Sequence, residues 1–148
     1  MNIGKYVDEA MRYCGGSNPR DAACDLGYFI HDVDLGEEVL GFHLIKGSAK
    51  IIALNTNLSK NKRDFVLAHE LGHAMMHKGY KLNKFTRNSF YSTNKMEKEA
   101  NIFAALLLFR HRESICTKEL SEDYDIEEDV LKDLLGTRLG EKAFYTYI

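Results

Sequence analysis

Cysteine is scarce in this chain: Cys14, Cys24 and Cys116 are the only three in 148 residues. They are odd in number, widely spaced and in no CxxC pair. This argues against a disulfide framework and a thiolate metal site, and for reduced thiols in a cytoplasmic protein. No stretch approaches 18 consecutive apolar residues, and the first residues, MNIGKYVDEAMRYC, lack the apolar core of a signal peptide. Neither a membrane span nor an export address is therefore expected. The formal net charge is only −2, so there is no overall basic field to draw in nucleic acid. Internal repeats and low-complexity segments are absent as well. What remains is an ordinary globular composition, 45% apolar and 28% charged, at a length that suits one domain with a real core.

The informative feature is the run His69-Glu70-Leu71-Gly72-His73, an HExxH motif. Six histidines and twelve glutamates in this length produce such a motif by chance with an expectation of about 0.02. Its surroundings, with Phe65, Val66, Leu67, Ala68, Leu71, Ala74 and Met75, read as a mostly buried helix. Residues four apart on a helix share a face, with Cβ atoms about 5–6 Å apart. Two imidazoles so placed converge on one metal ion, at roughly 2.0–2.1 Å per Zn–N bond. Glu70 sits one step round the helix, where it can serve as general base on a water held there. The competing reading is two hydrogen-bonded core histidines and a surface glutamate. A buried helix with this many polar groups needs partners for them in either case.

Along the chain, an amphipathic helix is expected over residues 3–14, closed by Gly15 and Gly16. Asn18 and Pro19 then supply an N-cap and a first helical residue for a helix to about Leu26. Residues 28–33, 39–46 and 50–54 read as strands, the last two joined at Gly47 and Ser48 as a hairpin. The HExxH helix is expected over residues 60–77 and to stop at Gly79. Residues 78–94 read as a long loop, and residues 96–109 as a strongly apolar helix. A last helix is expected from Asp125, with Glu128 completing a capping box, to about Leu135. The fold class is thus α+β, a small three-stranded sheet packed on the HExxH helix and a second ligand helix. A catalytic core over 1–112 and a helical tail over 113–148 make up one domain.

Catalytic zinc takes three protein ligands and keeps one position for water. His77, four residues beyond His73, reads as structural or as support for a ligand, because one straight helix cannot wrap three ligands around one ion. The next helix carries two carboxylates, Glu97 and Glu99, about 160° apart by helical geometry, so both cannot ligate. At this point the sequence resembles the ImmA/IrrE metallopeptidases. Their pattern is a strand ending in Asn, an A-H-E-L-G-H helix, and E-x-x-A-N-x-F-A-x-x-L-L. Here these are matched by Asn55, by Ala68 to His73, and by Glu97, Ala100, Asn101, Phe103, Ala104, Leu107 and Leu108. The resemblance covers about residues 18–110. It implies Glu97 as third zinc ligand beside His69 and His73, and Glu70 as the catalytic base. It also leaves Asn101, one turn along the same face, to hydrogen-bond a ligand imidazole. Glu99 then reads as a solvated charge. The family usually closes this helix with a proline, which is missing here.

The resemblance implies a zinc endopeptidase that cuts a helix-turn-helix repressor, with a substrate strand pairing on the strand that ends at Asn55. Tyr80, Arg87, Tyr91 and His43 are the residue types available to stabilise an oxyanion, though each reads first as a surface or packing residue. Other readings stay open: an antirepressor or toxin–antitoxin partner that keeps zinc for structure, or another zinc hydrolase such as an amidase. The same ligands would also take Mn²⁺ or Fe²⁺. The tail reads helix-turn-helix-like. Between Glu119 and Asp133, however, it holds eight acids and one lysine, so direct nucleic-acid binding is not expected.

Overall fold

The computed structural model describes residues 2–14, 18–79, 82–112 and 115–136. Gly15, Gly16 and Tyr80, singled out above, lie outside them. The chain runs through α1 (Ile3–Cys14), α2 (Pro19–Asp25), β1 (Phe29–Val33), β2 (Val39–Lys46) and β3 (Ala49–Asn55). There follow α3 (Lys60–Met76), β4 (Leu82–Thr86), α4 (Lys95–Phe109), α5 (Thr117–Tyr124) and α6 (Glu128–Gly136). This is the expected α+β plan. Asn18 caps α2 by accepting from the Arg20 N–H at 3.0 Å, with Pro19 opening the helix. No helix among the described residues is long and apolar enough to cross a membrane.

Among the described residues the sheet has four strands, in the order β1-β3-β2-β4, where three were expected. The added strand lies within the supposed loop. In Leu82–Thr86 the alternation is masked by polar types: Phe85 is fully buried and Asn83 half-buried, while Leu82 and Lys84 point to solvent. β3 is also interior, parallel to β1 on one side and antiparallel to β2 on the other. It cannot be the edge strand expected for pairing with a substrate, because both its sides are already used. Among the described residues the edges are β1 and β4.

One face of the sheet packs on α3. Ile52 and Leu54 of β3 are fully buried there, in register with His43 and Gly41 of β2. Gly41 is required by close approach: a Cβ at that position would lie 2.6 Å from Val66 Cγ1 of α3 and 2.8 Å from the Ala53 carbonyl oxygen. Asn55, at the end of β3, ties down the β1–β2 connection. Its amide donates to the Gly36 and Val39 carbonyls at 2.8 and 2.9 Å, and its oxygen accepts from the N–H groups of Leu35 and Asn57. The family-type asparagine thus fixes a turn.

α4 lies against α3 and is buried from Glu99 through Phe109. Gly72 of α3 permits this packing, since a Cβ there would meet the Phe103 ring at 3.0–3.2 Å. Among its described residues the tail holds two helices, and Asp125 ends the first instead of capping the second. Its backbone is left-handed (φ 52°), its N–H bonds the Ser121 carbonyl, and α6 begins only at Glu128. The Asp125 carboxylate instead pairs with Lys62 Nζ of α3 at 3.3 Å, and Asn61 donates to the Asp123 carbonyl at 3.0 Å. These contacts draw the chain out of the capping geometry that the sequence suggested.

Candidate metal centre

α3 and α4 bring three side chains to one point. His69 and His73, both fully buried, lie one turn apart on α3, with their Nε2 atoms 3.1 Å from each other. Glu97 comes from the first turn of α4. Asn94 caps that helix by accepting from the N–H groups of Met96 and Glu97 at 2.9 and 3.3 Å. The helix N-terminus favours a carboxylate there. Glu97 Oε1 lies 2.9 Å from His73 Nε2, and Oε2 lies 3.1 Å from His69 Nε2. Together His69, His73 and Glu97 form a group that could hold a metal ion.

The donor set fits a divalent cation. Asn101 Oδ1 sits 2.8 Å from His69 Nδ1, while the Asn101 amide nitrogen donates to the Ser89 carbonyl. The oxygen therefore faces the ring and must accept, which puts the His69 proton on Nδ1 and leaves Nε2 as a lone pair. Glu97 Oε2 is buried without a hydrogen-bond partner. Bare acceptors that face one another in a buried pocket need positive charge between them, as a proton or as a metal ion.

Glu70 stands beside this cluster on α3, fully buried. Its Oε2 lies 2.5 Å from His43 Nδ1 and its Oε1 accepts from the Asn83 amide at 2.8 Å. His43 and Asn83 are register partners on β2 and β4, so one rung of the sheet holds both carboxylate oxygens.

The pattern of the IrrE N-terminal-like domain, a peptidase family, matches residues 23–140. The chain belongs to this family. A relative named uncharacterized immunity region protein 2, from Bacillus phage phi105, is 36% identical over 92 residues. That match takes in 62% of this chain and 58% of the relative, so the chain spans little more than half of that protein's length. Members of the peptidase family are typically metal-dependent, and the buried His69–His73–Glu97 cluster lies within the matched residues.

Charge at the centre follows from burial and from these neighbours. Burial alone would raise the Glu97 carboxyl; in the metal-free cluster, where a proton takes the cation's place between the facing nitrogens and Glu97, hydrogen bonds from His69 and His73 and their fields outweigh burial and hold the group at about 2. Burial pushes His73 below the usual imidazole value, against the opposing pull of Glu97. Tyr28 is raised, first by burial and then by the charge of Glu70.

The remaining sequence candidates fall out differently. His77 is not brought to the cluster as a ligand; its Nδ1 lies 2.9 Å from His73 Nδ1 and its Nε2 lies 3.1 Å from Glu99 Oε1. Glu99 is therefore no solvated charge. It is 8% exposed, at the start of the buried stretch of α4 and on a side turned away from the exposed Lys98. Of the oxyanion types, Arg87 donates to the Glu37 carbonyl at 3.3 Å and Tyr91 is exposed. His43 is neither a surface nor a packing residue, since it is paired with Glu70. Sequence reasoning missed Asn83 and the aromatic wall behind His69. That wall is Phe85, edge-on to the imidazole at 4.2 Å between centroids, backed by Phe90 and Phe65. The aromatic residues in the supposed loop were the available signal.

Proposed function

We propose that the protein is a cytoplasmic zinc endopeptidase that cleaves a helix-turn-helix repressor at a defined site. The observation that carries this reading is Glu70: a buried carboxylate beside a three-ligand cluster is a base that a purely structural metal site does not need. His69, His73 and Glu97 would hold the zinc, with Asn101 orienting the His69 ring. Zinc there supplies Lewis acidity, which acidifies water and polarises a carbonyl. Glu70 accepts a proton from the attacking water as the water oxygen bonds to the scissile carbon. As the C–N bond breaks, Glu70 returns that proton to the leaving amine. β4 is the edge strand beside the centre, and its open side suits pairing with an extended peptide, a role that β3 cannot fill.

The repressor as partner is supported by the immunity region in the relative's name and by the acidic tail, which does not favour a nucleic-acid ligand. Co-expression with a helix-turn-helix repressor encoded beside the gene, comparing wild type with Glu70→Gln, tests the reading. Repressor fragments with wild type alone are expected, and an intact repressor in both would overturn it. A second reading, an antirepressor that acts by binding, is favoured by one feature. Both Glu70 oxygens already accept hydrogen bonds, as they would in a site kept only for structure. A stable complex formed equally by wild type and Glu70→Gln, without cleavage, would decide for it.

A further inference from the structure

We propose that His77 and Glu99 form a buried relay that sets how tightly the His69–His73–Glu97 cluster holds a divalent cation. The inference rests on the metal-centre part of the reading above but on no cleavage by the protein. The relay runs from His73 Nδ1 to His77 Nδ1 at 2.9 Å, and from His77 Nε2 to Glu99 Oε1 at 3.1 Å. Its three members are 0%, 7% and 8% exposed, so water does not substitute for its links.

The position of each proton follows from the chemistry of the atoms. A neutral His73 that offers Nε2 to a cation carries its one proton on Nδ1. That proton faces His77 Nδ1, which must accept, so the proton of His77 is on Nε2. There it faces Glu99 Oε1, a carboxylate oxygen that only accepts. Hydrogen bonds in such a chain polarise one another, so the Glu99 charge makes His77 a better acceptor and His73 a more electron-rich ligand. His69 has no equivalent, because the Asn101 amide behind it carries no charge. The two ligand imidazoles are therefore supported unequally, and the anionic support enters through His73. A plain brace between the end of α3 and the start of α4 would make the same contacts. It would stabilise the fold without altering cation affinity.

Affinity and stability separate the two. The full-length chain and its Glu99→Gln, His77→Gln and double variants are stripped of metal. Zn²⁺ binding is then measured by competition with a chromophoric chelator, and metal-free thermal melting is recorded alongside. Glu99→Gln keeps the shape and an accepting oxygen but removes the charge; His77→Gln keeps an acceptor for His73 but cuts the link. Each is expected to weaken Zn²⁺ binding roughly 10- to 100-fold, with the double variant no weaker than either single one. Affinities within twofold of wild type, losses that multiply in the double variant, or lowered melting at unchanged affinity would each overturn the relay. A wild type that binds no Zn²⁺ overturns it together with the metal reading. Absence of cleavage by a protein whose affinities shift as expected counts only against the endopeptidase reading. If Glu99→Gln does not fold, His77→Gln alone decides, by the same twofold criterion.

Discussion

His43 Nδ1 lies 2.5 Å from Glu70 Oε2, with both side chains fully buried. The other oxygen of that carboxylate is held by Asn83, the cross-strand partner of His43, so the sheet holds the proposed base from both sides. A carboxylate out of water is tolerable only when its lone pairs are satisfied. Two donors from adjacent strands achieve this without occupying the ligand positions on the α4 side.

Removing one of these donors is therefore costly. His43→Leu leaves a buried carboxylate oxygen without its partner and is expected to destabilise the fold by about 3 kcal/mol. Asn83→Ala, at a half-buried site, should cost about 1–2 kcal/mol. Adding Glu70→Gln to His43→Leu should recover part of the loss, because an unpaired amide is cheaper to bury than an unpaired carboxylate. Urea unfolding of the single and double variants checks this, and strictly additive losses would contradict the pairing.

How much of this was legible beforehand divides along physical lines. Helices α1 to α4 and the β2–β3 hairpin follow from local periodicity, caps and turn residues, whereas α5 and the start of α6 do not. The convergence of His69, His73 and Glu97 follows from the spacing of the two histidines and, for Glu97, from the family pattern. Strand order is a non-local property. Nothing within residues 28–33 or 49–55 says that β1 pairs in parallel with β3, leaving it interior. β4 was hidden because two of its five residues, Asn83 and Lys84, are polar types depleted in strands, although Asn83 faces inward to hold Glu70. Glu99 was read from a helical wheel. The wheel rules it out as a co-ligand with Glu97 but does not show that its own side of α4 is covered. For His43, alternation along β2 places it on the inner face with Gly41. That it meets Glu70 depends on how the sheet sits on α3.

Acid should destabilise the metal-free protein through the cluster itself. Glu97 is held at about 2 against an ordinary value of 4.5, so its contribution is fully present above 4.5 and is lost as pH falls toward 2. His73 is lowered from 6.5, so the unfolded chain takes up that proton first, and stability is lost as pH falls below 6.5. Both contributions have the same sign, because the unfolded state binds more protons across the whole interval. Urea midpoints of chelator-treated protein should fall steadily from pH 7 to pH 3. In Glu97→Gln the fall below 4.5 should flatten, while the decline beginning near 6.5 persists. A wild-type midpoint independent of pH over this range would contradict the charge assignment.

The separation of α3 and α4 sets the distance between the histidine pair and Glu97, and Gly72 lets the helices come this close at Phe103. A methyl group at position 72 would come 3.0 Å from Phe103 Cδ1, 3.1 Å from Cγ and 3.2 Å from Cβ. The ring is fully buried, so it has little room to give the few tenths of an ångström required, and the strain is expected to fall on the spacing of the helices. Overpacking of this kind costs about 1–3 kcal/mol, part of it offset by the better helix propensity of alanine. Gly72→Ala should therefore lower the melting temperature of the metal-free protein and also weaken Zn²⁺ binding, since Glu97 moves with α4. Gly72→Ala combined with Phe103→Leu, which removes the ring from the contact, should regain affinity even where the smaller side chain lowers stability. Zinc titration of the two variants measures this directly. If Gly72→Ala binds Zn²⁺ as wild type does while melting earlier, helix spacing governs stability alone and the geometry of the metal centre is set elsewhere.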